Sequence, residues 1–341
     1  ARYAPGLHTL LRYDRSWLRG DLLAGITVAA YLIPQVMAYA EIAGLPPIAG
    51  LWAILAPLAV YALLGSSRQL SVGPESTTAL MTAAGLGALL GAAGGTDRWS
   101  QVAGLMVIAV GLVCLLGWLF KLGFLANLLS RPVLVGYMAG IAVLMMTSQL
   151  GKVTGLKISG ESVGAEWWSL LSQLGAVHLP TVLLAAVLGG ALVAFRHWLP
   201  TWPGPLICML IAAGCVYWFG LDRLGIRIIG EVPQGLPAPR VPRLDDVAVL
   251  TLLPYALGIA VVGYSDNVLT ARAFATKRKE ALDSNQELLA LGAANVVNGF
   301  TNGFPVSSSG SRTVIGDAMG SRSQLYSLVC LAMVVAALLV L

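Results

Sequence analysis

This chain is short of charge. Asp, Glu, Lys and Arg supply only 11% of its 341 residues, while hydrophobic types supply 57%. Soluble domains carry about a quarter charged residues. A water-soluble fold with so few could not cover its own surface, so the surrounding solvent must be mostly hydrocarbon. Histidine is scarce as well: His8, His178 and His197 are scattered without metal-ligand spacing and are assigned no chemistry. The four cysteines, Cys114, Cys208, Cys215 and Cys330, show no CxxC spacing and lie inside apolar runs, where they read as small packing residues. HExxH and paired metal ligands are missing, which argues against a membrane-embedded enzyme, a bound metal and a cofactor. No basic run carries interleaved aromatics, so the net charge of +5 does not suggest nucleic acid.

What the chain has in quantity is uncharged length. Residues 51–65, 102–120, 133–150, 181–195, 206–219, 250–262 and 325–341 carry no charge, and several approach the ~20 residues that cross a bilayer. Eleven spans are expected, at 22–40, 48–65, 75–91, 101–120, 132–150, 180–196, 203–219, 251–275, 286–299, 306–319 and 323–341. Residues 1–20 hold Arg2, Arg12, Arg15 and Arg19 and are expected in the cytoplasm, leading into a retained first span rather than a cleaved signal. Threading the spans from there puts Arg68, Lys121, Arg131, Arg196, Lys277-Arg278-Lys279 and Arg322 inside, and Lys152, Lys157, Arg223 and Arg227 outside. Arg272 and the Lys277 cluster are expected to be inside anchors that snorkel to the interface. Residues 160–178, with Trp167 and Trp168, should lie at the interface, and the Pro- and charge-rich stretch 220–246 should be extracytoplasmic. Ser284 followed three residues on by Glu287 reads as a capping box that opens the ninth span.

Two spans break in the same way. The third opens on Ser71-Val72-Gly73-Pro74-Glu75-Ser76-Thr77-Thr78 and the tenth on Phe304-Pro305-Val306-Ser307-Ser308-Ser309-Gly310-Ser311-Arg312-Thr313. Each is an extended Gly/Pro stretch running into a short, hydroxyl-rich helix start, with too little apolar length to cross the bilayer. Each helix is therefore expected to begin inside the membrane. A helix start presents unpaired N–H groups and the positive end of the dipole, which attract anions. Non-helical backbone survives at that depth only where protein or a water-filled cavity surrounds it. Paired broken segments point to a transporter binding site. Gln35, after Pro34, precedes Glu75 by 40 residues, and Asp266 precedes Ser309 by 43, a spacing that suggests an inverted repeat.

The motifs then resemble a known family. Ile33-Pro34-Gln35-Val36-Met37-Ala38-Tyr39-Ala40 with Ala43-Gly44-Leu45-Pro46-Pro47 and Gly50-Leu51-Trp52 resembles the first-span signature of the sulfate permease (SulP) family, which includes animal anion exchangers and prestin. The stretch from Gly65 to Pro74 and Ser309-Gly310-Ser311-Arg312 resemble its later motifs. The resemblance implies an all-α polytopic membrane protein of fourteen spans in a seven-plus-seven inverted repeat. Residues 21–130 (spans 1–4) and 251–341 (spans 8–11) would form a core domain, 131–220 (spans 5–7) part of a gate, and 221–250 an extracytoplasmic loop. Gate spans 12–14 and the cytoplasmic STAS domain would be absent, the chain being truncated after about eleven spans.

The implied function is secondary transport of a small anion by alternating access. Sulfate comes first by family association, with bicarbonate, chloride and dicarboxylates open. Gln35, Tyr39, Glu75, Ser76, Ser309, Gly310, Ser311 and Arg312 are the expected substrate contacts. Gln35 would offer its amide to the anion or to backbone freed by Pro34. Tyr39 lies one turn on and matches an aromatic of the family's pocket. Glu75 would compete with the anion for helix N–H groups unless protonated, or simply cap its helix. Arg312 would supply positive field or a salt bridge to Asp266 or Glu75. Asp266, an intramembrane acid, with Thr270 at i+4 on the same side, would bind the coupling ion, H⁺ or Na⁺, together with Glu75. Proton-coupled symport is the favoured mechanism; a Na⁺-driven bicarbonate or dicarboxylate symporter and an anion channel are the alternatives. A homodimer in the bacterial inner membrane, surrounded by lipid, is the expected setting.

Overall fold

The computed structural model describes residues 4–90, 96–124, 131–158, 162–199, 204–226, 234–242 and 249–340. A helix stands at each of the eleven expected span positions. The chain falls into two compact units, one made of Ala1–Leu128 with Glu231–Leu341 and the other of Leu129–Gly230.

The first unit begins with α1 (Pro5–Leu11), α2 (Leu18–Ile42), α3 (Pro47–Leu64), β1 (Val72–Gly73), α4 (Ser76–Leu90) and α5 (Thr96–Leu119). The second unit holds α6 (Arg131–Thr154), α7 (Val163–Ser172), α8 (Leu179–Trp198) and α9 (Gly204–Phe219). The first unit resumes with α10 (Val249–Arg278), α11 (Ser284–Gly299), β2 (Ser307–Ser308), α12 (Gly310–Ala318) and α13 (Leu325–Val340). Among the described residues, five helical stretches are long and apolar enough to cross a membrane alone: Arg15–Ile42, Pro47–Leu64, Asp97–Leu119, Leu179–Trp198 and Leu250–Arg278. The stretch expected at the interface contains the short α7, where Trp167 donates to Thr147 at 3.1 Å.

In the first unit, α2, α3 and α13 enclose Leu32, Leu51, Ile54, Leu58, Tyr326 and Val334. Close approach rests on small residues, as expected where lipid supplies no hydrophobic drive between helices. A Cβ on Gly50 would sit 1.9 Å from the Val36 carbonyl oxygen, so α3 touches α2 through bare backbone. Gly111 of α5 and Gly292 of α11 meet in the same manner, each within 3.0 Å of the other's carbonyl oxygen once a Cβ is added.

α2 runs unbroken through Pro34 to Ile42, as the single span expected over 22–40 requires; one missing N–H is tolerated in a helix buried among neighbours. One local expectation is corrected. The cap of α11 is Asp283, not Ser284: its carboxylate accepts from Asn285 N at 2.9 Å and Gln286 N at 3.1 Å. The shift turns Glu287 away from the helix start into the protein, where four donors meet it instead of one backbone amide. At the basic end of α10 the expected anchors also have protein partners. Lys277 and Arg278 both pair with Asp317 at the end of α12, and Arg272 donates to Ser284 Oγ at 2.9 Å.

A candidate anion site between two half-helices

The two Gly/Pro stretches lie side by side. β1 and β2 pair antiparallel, Val72 opposite Ser308 and Gly73 opposite Ser307, and Ser309 N extends the ladder to Ser71 O at 2.8 Å. Extended backbone among apolar helices must find internal partners, and these two segments find each other. The antiparallel pairing makes α4 and α12 leave in opposite directions, so their N-terminal ends flank the same short ladder.

Side chains complete the pairing. Asn295 of α11 imitates a strand neighbour: its Oδ1 accepts from Val306 N at 3.0 Å, and its Nδ2 donates to Val306 O at 3.2 Å. Asn298, one turn on, donates to Phe304 O at 2.8 Å. Thr313 Oγ1 accepts from Ser71 N at 3.0 Å. Neither asparagine was singled out from the sequence. The available signal was a pair of amides at i, i+3 in an apolar helix.

Arg312 occupies the centre. It is fully buried. Its Nη1 donates to Pro74 O at 2.8 Å and Gln35 Oε1 at 3.2 Å, and its Nε donates to Ser71 Oγ at 3.2 Å. Nη2 has no hydrogen-bond partner. Arg312 is not part of the ion pairs that join Arg68 to Glu280 and Lys277 and Arg278 to Asp317. The salt bridge to Asp266 or Glu75 weighed from the sequence is therefore not formed, because backbone and amide oxygens already hold the guanidinium.

Gln35 is occupied on both sides. Besides accepting from Arg312, it donates through Nε2 to Tyr31 OH at 3.1 Å and Tyr39 OH at 3.0 Å. Its amide thus orients two phenols, each of which keeps its own O–H to donate. Tyr31 is an addition that the sequence reading missed, although it sits one turn before Gln35. Glu75 precedes α4 and caps it: Oε2 accepts from Thr77 N at 2.7 Å and Oε1 from Ser76 Oγ at 2.6 Å. Opposite, Ser309 caps α12, accepting from Arg312 N at 3.5 Å while its hydroxyl meets Ser311 Oγ at 3.2 Å. Gly310 and Ser311, both half-exposed, form the first turn of α12, whose amides have no intrahelical acceptor.

Asp266 faces the ladder from α10, accepting from Ser308 Oγ at 3.3 Å. Gly263, one turn earlier, lets α10 approach: a Cβ there would stand 3.3 Å from Ser307 Cβ. Thr270, one turn later, is buried on the same side. Gln35, Tyr39, Glu75, Ser76, Ser309, Gly310, Ser311, Arg312 and Asp266 are thereby gathered around one ladder.

Residues 18–341 match the model of the family described as the sulfate permease family. The chain belongs to the sulfate permease family. It is 54% identical over 335 residues to a protein of Mycobacterium tuberculosis named "Probable sulfate transporter", covering 98% of this chain and 60% of the relative. It is 36% identical over 351 residues to human "Solute carrier family 26 member 6", covering 95% of this chain and 45% of that protein. The chain thus spans about half to three-fifths of the length of these sulfate permease relatives. Two solved structures share the fold at 24% identity. One is the murine "Solute Carrier 26 family member A9 (Slc26a9) anion transporter in the inward-facing state", with a TM-score of 0.78, covering 99% of this chain and 59% of that one. The other is the transmembrane domain of the cyanobacterium bicarbonate transporter BicA, with a TM-score of 0.74, covering 96% and 84%. The chain is accordingly a polytopic helical membrane protein of the sulfate permease fold.

Proposed function

We propose that this sulfate permease family member carries a small divalent oxyanion, sulfate first, across the bacterial inner membrane by proton-coupled alternating access. The observation that carries the reading is the unpartnered Nη2 of a fully buried Arg312 beside two helix starts joined by one ladder. An oxyanion there would receive guanidinium, helix amides of α12 and the hydroxyls of Tyr39, Ser309 and Ser311, all preorganised by other bonds. The unit bearing the ladder is the core that moves with the anion; α6–α9 belong to the gate. The N-terminus lies in the cytoplasm, and a homodimer is the working assembly.

Coupling follows from two acids. Glu75 holds Thr77 N, so an incoming anion must share the α4 amides with a carboxylate. Protonating Glu75 weakens that hold and removes a repelling charge. Asp266, bonded to Ser308, stands on the other side of the ladder, where its charge is removed by H⁺. The placement of Thr270 one turn from Asp266, on the same side, favours Na⁺ as the second reading for the coupling ion, with bicarbonate or a dicarboxylate as cargo.

Uptake of labelled sulfate, bicarbonate and fumarate into liposomes under imposed H⁺ or Na⁺ gradients separates these readings. Sulfate uptake driven by an inward H⁺ gradient is expected, and Asp266→Asn should remove the response to the gradient. Glu75→Gln should keep uptake but flatten its dependence on pH, because a neutral amide stands in for the protonated acid at every pH. If both variants move sulfate at the parent rate with an intact gradient response, the coupling assignment is wrong. Conductance far above carrier turnover would instead indicate a channel.

A further inference from the structure

Glu287 is a fully buried carboxylate to which the proposed transport cycle gives no part. Oε1 accepts from Ser66 N at 2.9 Å and Ser66 Oγ at 2.7 Å, and Oε2 from Tyr61 OH at 2.8 Å and Asn267 Nδ2 at 2.7 Å. Four donors converge on two oxygens, and Glu287 lies in the first turn of α11, where the helix dipole favours negative charge. Among the described residues no cation pairs with it. Such a group is fixed in place by its four donors, which suits it to orient its neighbours.

The neighbour that matters is Asn267, fully buried and adjacent to Asp266. Successive residues of a helix point about 100° apart, so α10 presents two polar sides. Gly263, Asp266 and Thr270 face the ladder. Tyr264 and Asn267 face α11, where Tyr264 OH donates to Ser284 O at 3.0 Å and Asn267 reaches Glu287. Rotating α10 enough to swing Asp266 off Ser308 would withdraw Asn267 from Glu287. Through Ser66 the same carboxylate also grips the loop that leads into β1, so one group ties both sides of the ladder.

We infer that Glu287 is a positioning residue: through Asn267 it sets the rotation of α10 and hence the place of Asp266 relative to the ladder. The inference rests on the coupling role proposed for Asp266. Glu287→Gln removes the charge and puts an NH₂ where Tyr61 OH and Asn267 Nδ2 donated, so the Asn267 amide must turn over or lose its partner. In the full chain reconstituted with radiolabelled sulfate, the coupling-ion concentration for half-maximal uptake should rise by about tenfold or more, with half-saturating sulfate little changed. Hydrogen exchange across 263–270 should quicken. The exchanged pair, Asn267→Asp with Glu287→Gln, restores a donor facing a carboxylate and should return both readouts most of the way to the parent.

A folded Glu287→Gln protein with parental coupling-ion dependence and parental exchange would overturn the inference. So would an exchanged pair no better than the single change. If the single variant does not fold, the exchanged pair decides: restored folding with parental coupling supports the inference, and a folded pair with lost coupling rejects it. Should Asp266→Asn leave coupling untouched, the proposed role of Asp266 fails. Exchange at 263–270 would then still decide whether Glu287 holds α10.

Discussion

Sulfate uptake by the Arg312→Met protein is expected to fall by about a hundredfold. The substitution removes a wholly buried guanidinium and leaves Pro74 O, Gln35 Oε1 and Ser71 Oγ without their donor. A hydrogen bond involving a charged group contributes about 1.5–3 kcal/mol, and each ~1.4 kcal/mol is a factor of ten in an equilibrium. Losing the direct bond to the anion together with one bond that shapes the site accounts for the figure. Arg312→Lys keeps the charge, but a single ammonium on a flexible stem cannot serve three acceptors placed for a planar fork and still present a free N–H. It should lie between the parent and Arg312→Met. Initial uptake rates in liposomes, normalised to reconstituted protein, check both; parental uptake by Arg312→Met would remove the guanidinium from the site.

Gly50→Val should damage stability and transport together. A Cβ at Gly50 would lie 1.9 Å from Val36 O and 2.5 Å from Val36 C, both backbone atoms with no rotamer by which to retreat. Overpacking typically costs about 1–3 kcal/mol and occasionally more. The only relief is to move α3 away from α2 beside Gln35, whose carbonyl oxygen is 3.2 Å from Arg312 Nη1. Thermal unfolding in detergent should shift down by several degrees, and uptake should drop in the protein that remains folded. Gly87→Ala provides the contrast: nothing lies within 4 Å of a Cβ there, so both measurements should match the parent.

The sequence made the half-helices legible because their signature is chemical. Gly73, Pro74 and Pro305 interrupt apolar length, and hydroxyl-rich turns follow each break. Pairwise detail was less accessible. That Gln35 binds two phenols, and that Arg312 bonds carbonyl and amide oxygens rather than an acid, depends on how α2 and α12 approach each other. No local pattern encodes that approach. Glu287 was misassigned as a capping partner because the Ser-x-x-Glu spacing is satisfied on paper. The competing solution, Asp283 as the cap and Glu287 turned toward Tyr61 and Ser66, needs residues more than two hundred positions away in the chain. Asp21 shows the same limit. It sits at the start of α2 like an ordinary first-turn acid, yet it is buried and accepts from Arg322 N at 2.7 Å and Ser323 Oγ at 2.6 Å, tying the loop before α13.

The account depends on one physical arrangement: two helix starts and one buried guanidinium sharing a single ladder and receiving an anion there. Locating selenate, a sulfate mimic, by its anomalous scattering in crystals of the protein tests this directly. The arrangement predicts a peak beside the ladder of Val72–Gly73 and Ser307–Ser308, within hydrogen-bond reach of Arg312 Nη2 and the first turn of α12, and absent from Arg312→Met crystals. A peak elsewhere that persists in the variant, with none at the ladder, would contradict it.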